Sequence, residues 1–474
     1  MKNNKFIIIV AMILFMASCN SSPQIISNQI PSDTSKTSSF NSIEEITDSK
    51  TTEPIINIEG TDNIGSPEND NPKDLELIGN VLEFEDSVLK DCALKALESS
   101  GDVITDYWCE QITELDCSDR IISTLADLKY FSNLIKLIID NSDREVSLKG
   151  INKATKLKSV TLKNCKLSEV DRISELKDLE YLDISTSSSR GTKIKDYSSL
   201  SALTNLKYLD MSWTGYNAYN PFGLEDASFI NSLVNLEELN IYETGISNYS
   251  LGNLSKLKKL TISECIVDNI LEELCNSGSI YSIEDITIYG AGYGYFLTND
   301  GLKNYLSQAK ELKHLKLGIT ETTSLEGLGE LQNLETFYFD NSRCFDLPLS
   351  AYDEFKKLKN LKELTLVGNA NSHEIVNNLG TNPNDYKFLN EMSSLVKLSI
   401  EPYKDMAISC FSDLNNLEIL SILNTDTYDT DVDISGIDKF KSLKELNYRC
   451  VRFKSTAPLD DLDYLSVNEL SFYS

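Results

Sequence analysis

The chain has 474 residues, more than one ordinary globular core accommodates, so it is either several domains or an array that grows by stacking. Its 44 Lys and Arg stand against 73 Asp and Glu, a formal charge of −29 that repels nucleic acid and anionic lipid headgroups. With only His314 and His373, and no Cys-x-x-Cys spacing, the chain lacks the ligand clusters that zinc sites and catalytic triads need. No metal, no cofactor and no enzymatic activity is expected.

Lys2 and Lys5 precede an apolar run from Phe6 to Ala17, too short to span a bilayer but suited to a signal-peptide core. The run closes on Met16-Ala17-Ser18-Cys19, which resembles the bacterial lipobox, with Met16 standing where Leu is commoner. The resemblance implies that residues 1–18 are removed and that Cys19, diacylated, becomes the first residue of an exported protein touching its membrane only through the lipid. From Asn20 to Pro72 the sequence is Ser, Thr, Asn, Pro and acid without apolar periodicity, and it cannot bury enough surface to offset its ordering entropy. Residues 19–75 therefore read as a lipidated cysteine on a disordered tether, whose root-mean-square reach as a coil is about 40 Å.

Residues 76–111 read as an N-terminal cap. Between Phe84 and Leu97, Val88, Cys92 and Ala96 recur at helical spacing beside Leu89, Ala93 and Leu97, predicting an amphipathic helix. From residue 112 one pattern returns: an apolar residue, two polar, Leu, one polar, an apolar residue. Fourteen copies begin at Ile112, Leu134, Leu157, Leu179, Leu206, Leu236, Leu257, Ile283, Leu312, Leu334, Leu361, Leu395, Leu417 and Leu443, with a weaker fifteenth at Leu462. The mean period, about 25 residues, lies in the range of leucine-rich repeats.

From about Phe84 onward the chain resembles the internalin-like bacterial leucine-rich-repeat proteins, several steps having their 22-residue length. The fold expected is an α/β solenoid: a leucine-rich-repeat horseshoe with a parallel concave sheet, an N-terminal helical cap, and an irregular or helical convex side. Each strand's fourth and sixth positions point inward, and each strand pairs with its counterpart in the next repeat. Position nine is often Asn in the family. Here Cys165, Thr214, Thr244, Cys265, Thr320, Ser342 and Thr425 hold it, with Asn369 conforming, so a hydroxyl and thiol ladder is expected instead. Helices are expected on the convex side over Asp300–Ala309 and Tyr352–Leu358, where apolar residues recur every three or four positions. The last strand is expected to be covered by a short hairpin or left as a pairing edge.

Once Cys19 is set aside, nine cysteines remain, an odd number, so a complete disulfide framework in a monomer is excluded; Cys92 with Cys109 is the pair to test. Down the second strand position run Lys158, Glu180, Lys207, Glu237, Lys258, Glu284, Lys313, Glu335 and Lys362, strictly alternating in sign. With parallel strands about 4.8 Å apart, each charge should have an opposite one above and below it, which serves register and solubility rather than ligand binding.

The concave face left to a partner carries Tyr181, Tyr208, Trp213, Tyr242, Tyr289 and Tyr338, beside insertions with Tyr216, Tyr219, Phe222, Tyr293, Tyr295 and Phe296. Aromatic rings bury large area at low entropy cost. Fourteen strands give roughly 850 Å², enough for one side of a standard protein interface.

Two motifs mislead. Gly290-Ala-Gly292-Tyr-Gly294 lacks the third glycine of a dinucleotide fingerprint. Asp429-Thr-Asp431-Val-Asp433 opens like a calcium loop, but Ile434 and Phe440 stand at positions where that loop needs glycine and a bidentate acid, so an acidic turn is the reading. The expectation is a lipid-anchored bacterial surface protein that binds a protein partner. The alternatives are a glycan partner and a self-associating envelope scaffold.

Overall fold

Ahead of most strands the apolar residues recur every third position, as in Tyr197, Leu200, Leu203 and Leu206, or Ile434, Ile437, Phe440 and Leu443, all buried. A spacing of three suits the 3-10 turn, in which side chains at i and i+3 eclipse. The backbone closes accordingly: the Leu200, Leu203 and Leu206 amides donate to the carbonyls three residues back at 2.9, 3.0 and 3.0 Å. Most described repeats are thus a return path ending in 3-10 turns that feed a short strand.

A computed structural model describes residues 75–474 apart from 119, 188–195, 215–225, 245–250, 264–265, 291–296, 319–321, 341–346, 369–384, 402–405, 425–429, 450, 461, 463 and 470–474. The signal segment, Cys19, the tether, the aromatic residues of the insertions and the glycine-rich motif beyond Gly290 lie outside the described residues. So do Cys265, Thr320, Ser342, Asn369 and Thr425.

The cap opens with α1 (Ser87–Ala96) and α2 (Asp106–Gln111). Asp86 caps α1: its Oδ1 accepts from the Val88 and Leu89 amides at 2.9 and 3.2 Å. Its Oδ2 accepts from the Ser123 amide and hydroxyl, both at 2.7 Å, and from the Thr124 amide at 3.2 Å. One buried carboxylate therefore fastens the cap helix to the first repeat. Leu89, Cys92, Ala93 and Leu94 form its buried face.

Twelve strands follow in step: β1 (Glu114–Cys117), β2 (Lys136–Ser147), β3 (Ser159–Ser168), β4 (Tyr181–Asp183), β5 (Tyr208–Asp210), β6 (Glu238–Ile241), β7 (Lys259–Ser263), β8 (Asp285–Tyr289), β9 (His314–Gly318), β10 (Thr336–Asp340), β11 (Glu363–Val367) and β12 (Lys397–Ile400). The later strands are β13 (Met406–Ala407), β14 (Ile419–Leu423), β15 (Thr430–Asp433), β16 (Glu445–Arg449), β17 (Val451–Phe453) and β18 (Ser466–Glu469). Fifteen form one parallel sheet in chain order, β1 to β12 and then β14, β16 and β18, while β13, β15 and β17 make a second, three-stranded sheet. The fourth-position residues pair directly, as Leu182 with Leu209 and Leu364 with Leu398, so the fourteen predicted copies share one register.

The fifteenth copy is corrected. A repeat starting at Leu462 would set Leu465 opposite Leu446, yet Val467 pairs there, two residues later. Leu462 and Leu465 are drawn into the turn before β18, where the Leu465 amide donates to the Leu462 carbonyl at 2.9 Å. Among the described residues no strand pairs with the outer edge of β18. On the convex side the two expected helices are present, but not as α-helices. Gly301–Tyr305 is a single π turn running into a 3-10 turn, and Leu349–Lys357 is 3-10 rather than α. Among the described residues the α-helix of that side is α3 (Val267–Ser277), whose Val267, Ile270, Leu271 and Leu274 are buried at i, i+3, i+4 and i+7. Asp431 and Asp433 lie on a strand, not a turn. Asp431 pairs with Arg452 Nε at 2.9 Å, and Asp433 accepts from the Ser435 amide at 2.9 Å.

Two polar ladders run along the array, the first closing the turn within each repeat and the second joining a repeat to the one before. At position nine the Thr214 and Thr244 hydroxyls donate to the Met211 and Ile241 carbonyls at 2.6 and 3.0 Å, and the Cys165 thiol to the Lys163 carbonyl at 3.2 Å. The second ladder was missed in the sequence. Asn133, Asn205, Asn235, Asn333, Asn360 and Asn416 each precede a first-position Leu, and each side-chain amide donates at 2.7 to 3.0 Å to a carbonyl of the repeat before. Asn-Leu recurs visibly at these places, so its signal was available.

Candidate binding surface on the concave sheet

The charged column sits at the strand entry. The Glu180, Lys207, Glu237, Lys258, Glu284, Lys313, Glu335 and Lys362 amides each donate to the carbonyl of the preceding member, at 2.7 to 2.8 Å. All nine residues therefore stack along one margin. Their side chains pair in groups: Glu180 with Lys207 and Lys158 at 2.6 and 3.4 Å, Glu237 with Lys258 at 3.3 Å, and Glu284 with Lys313 and Glu335 with Lys362 at 2.6 Å each. Hydrogen bonds from the lysines hold the carboxyls of Glu180, Glu284 and Glu335 below the ordinary carboxylate value. Farther along, Glu418 and Lys444 resume the column at 2.8 Å.

The six aromatic residues fall into two groups, and all are half-buried. Tyr181 and Tyr208 occupy the third position of β4 and β5, pair directly, and stack with centroids 4.2 Å apart and planes 8° from parallel. Beyond the ends of neighbouring strands, Trp213 meets Tyr242 at 5.7 Å, and Tyr242 meets Tyr289 edge-on at 5.4 Å. Lys316 then bridges Tyr289 and Tyr338, its ammonium 4.9 and 5.0 Å from the two ring centroids. Trp213, Tyr242, Tyr289, Lys316 and Tyr338 make one continuous strip.

Two backbone features shape this strip. Trp213 has φ 63°, in the left-handed region that Asn164 and Glu243 occupy at the same repeat position. Asn tolerates that conformation, but a bulky indole costs on the order of 1–2 kcal/mol there. The strain is carried where the ring faces the concave surface. Gly318 lies beneath Tyr289, and a Cβ built on it would come within 2.3 Å of the ring. Only glycine lets this tyrosine lie flat across β9.

Under the Tyr181–Tyr208 stack lies a feature that the aromatic reading overlooked. Asp183 and Asp210 stand opposite each other at the fifth position of β4 and β5, both buried. Asp210 Oδ1 accepts from the Ser212 amide and hydroxyl at 2.9 and 2.7 Å, and its Oδ2 from Asn240 at 2.9 Å. Asp183 Oδ1 accepts from the Ser185 amide and hydroxyl at 3.0 and 2.6 Å, and its Oδ2 faces Lys163 Nζ at 3.1 Å. Burial, and then the neighbouring Asp183 charge, push the Asp210 carboxyl up to about 6. Farther along, Asp285, Thr287, His314, Lys316, Tyr338 and Glu363 line an open depression of about 230 Å³. Among the described residues no group of three or more His, Cys, Asp or Glu is placed to hold a metal ion.

Fifteen parallel strands in register, apolar ladders inside and a helical cap define a leucine-rich-repeat solenoid. An internalin from Listeria monocytogenes superposes over 82% of this chain and 96% of its own, at a TM-score of 0.53 and 18% identity. A leucine-rich-repeat protein from Leptospira interrogans covers 76% and 96% at a TM-score of 0.47 and 18% identity. A second Listeria internalin, whose functional domain includes a cysteine ladder, covers 78% and 82% at 0.45 and 15%. No family model and no curated protein matches the sequence.

Proposed function

We propose that the chain is an extracytoplasmic binding protein without catalytic activity, lipid-anchored through Cys19, that grips a protein partner along the strip from Trp213 to Tyr338. The observation that carries this reading is the strained backbone at Trp213, which keeps an aromatic ring in the strip where Asn would sit without cost. The strip also combines rigid rings with a bridging ammonium, the composition of contact surfaces that lose little entropy on binding. The Tyr181–Tyr208 stack supports a protein over a glycan, since the two rings turn one face each toward the other. No reaction is assigned.

The test is site-specific photocross-linking in intact cells. A photoreactive aromatic residue at Tyr242 should yield one discrete adduct with a protein, and the same residue at Tyr281, exposed outside the sheet, should not. Trp213→Asn should remove the adduct while leaving the unfolding midpoint unchanged or higher, because Asn relieves the left-handed strain. Equal cross-linking from both positions, or an adduct indifferent to Trp213→Asn, would sink the proposal.

A further inference from the structure

The depression at the end of the strip spans four strands, β8 to β11. Asp285, His314, Thr336 and Glu363 stand opposite one another in its strand-entry row, with Lys316 and Tyr338 side by side in the next. Its middle is satisfied from within. His314 Nδ1 and the Thr336 hydroxyl are 2.9 Å apart, and the Lys316 ammonium lies 4.9 and 5.0 Å from the centroids of Tyr289 and Tyr338. Its ends differ. Asp285 is half-buried, and among the described residues its carboxylate meets neither a hydrogen-bond donor nor an ion-pair partner. Asp183 and Asp210, by contrast, are both bonded to a serine. Burial holds the Asp285 carboxyl above the ordinary carboxylate value, although Lys259 and His314, opposite it on β7 and β9, draw it down. At the other end exposed Glu363 has Lys397 at 3.7 Å, a loose pair. Three strand spacings, about 14 Å, separate the two carboxylates, so a single cation takes only one of them.

We propose that this depression seats a basic side chain, Arg or Lys, of the protein partner, with Asp285 as its counter-ion. The inference rests on the reading of the strip as the contact surface and names the partner chemistry that the strip's end selects. At about 230 Å³ the depression is smaller than sites for drug-sized ligands, roughly 300 Å³ and upward, so it suits one protruding side chain. A partner gripping the rings from Trp213 to Tyr338 brings such a side chain over it, because Lys316 and Tyr338 belong to both. The opposite occupant, a carboxylate on Lys316, would have to draw that ammonium off two rings and sit among like charges at both ends. The chain's formal charge of −29 favours the approach of a basic partner as well. A cation arriving at Asp285 supplies the bond that the folded chain leaves unmade, so the gain is not offset by breaking an existing pair.

The test selects phage-displayed random peptides on the immobilised full chain, then titrates the tightest one, synthesised, against wild type and variants by calorimetry. The peptide should carry an Arg or Lys whose replacement by Ala weakens binding about tenfold to a hundredfold. Asp285→Asn, nearly isosteric and with no side-chain bond to lose, should weaken the parent peptide by the same factor and the Ala peptide hardly at all. Its unfolding midpoint should equal or exceed that of wild type. Trp213→Asn, measured beside it, reads the strip itself. Loss with Trp213→Asn while Asp285→Asn binds as wild type overturns this inference and leaves the strip standing. Loss with Asp285→Asn alone keeps the basic seat and overturns the strip, and indifference to both overturns both. A selection that returns only peptides lacking Arg and Lys, or none, overturns the inference as well.

Discussion

Asp210 should make the array less stable as pH rises through the weakly acidic range. Its carboxyl is buried opposite Asp183 on the adjacent strand, and is pushed from the ordinary 3.8 up to about 6. At about 1.4 kcal/mol for each tenfold change in proton affinity, this corresponds to about 3 kcal/mol. The sign follows from a folded value above the unfolded one. Below 3.8 folded and unfolded chains both hold the proton, and the contribution is complete. Between 3.8 and about 6 the unfolded chain ionises first and stability falls; above about 6 the whole contribution is gone. Asp210→Asn has nothing to ionise at this site. It also disturbs the hydrogen bond from Asn240, a loss that is the same at every pH. Denaturant unfolding of wild type and variant across this range therefore isolates the carboxyl. The wild type should lose about 3 kcal/mol relative to the variant on going from below the lower value to above the upper one. A difference that stays flat, or one that grows in favour of the wild type as pH rises, would show that the pair is solvated or that Lys163 neutralises both charges.

Asp86→Ala removes five hydrogen bonds to one buried carboxylate and should cost about 3 kcal/mol or more, with cap amides exchanging before those of later repeats. Burial raises the Asp86 carboxyl, but the bonds from Ser123, Leu89 and Thr124 outweigh it and hold the group below the ordinary 3.8. Its contribution is therefore present above that value and lost as pH falls through the lowered one, opposite in sign to Asp210. Asn141 accepts from the Ile122 amide at 2.7 Å and donates to the Ile122 carbonyl at 2.9 Å, all buried, so Asn141→Ala should cost about 2–4 kcal/mol in thermal unfolding. Glu180→Lys places a third cation between Lys158 and Lys207, and should lower stability by about 1 kcal/mol at low salt; a cost undiminished at high salt would refute the exposed-ladder account.

The strand register was legible because the fourth and sixth positions are apolar in almost every copy, and a slip of one residue would turn all of them outward. It failed at β18 for the same reason in reverse. A shift of two residues keeps the same alternation of faces, and Val467 is exposed, so nothing in the pattern penalised it. The return path was legible as helical in part, but not its helix type: apolar spacings of three and four were pooled, although the strict threes of Tyr197, Leu200 and Leu203 specify 3-10 turns. In the concave face, single residues were legible but their grouping was not. Tyr242 and Tyr289 come from repeats two apart, and they touch because the intervening repeat offers only buried Ser263 at that level. Lys316 joins the strip because Gly318 lets Tyr289 lie across its strand. Both are properties of neighbours across the sheet, which a scan along one repeat cannot see. The strip is thus built by omission, a serine and a glycine where larger side chains would have separated the rings. Ser263 and Gly318 are therefore the positions at which an enlarging substitution should break ring continuity without touching any aromatic residue.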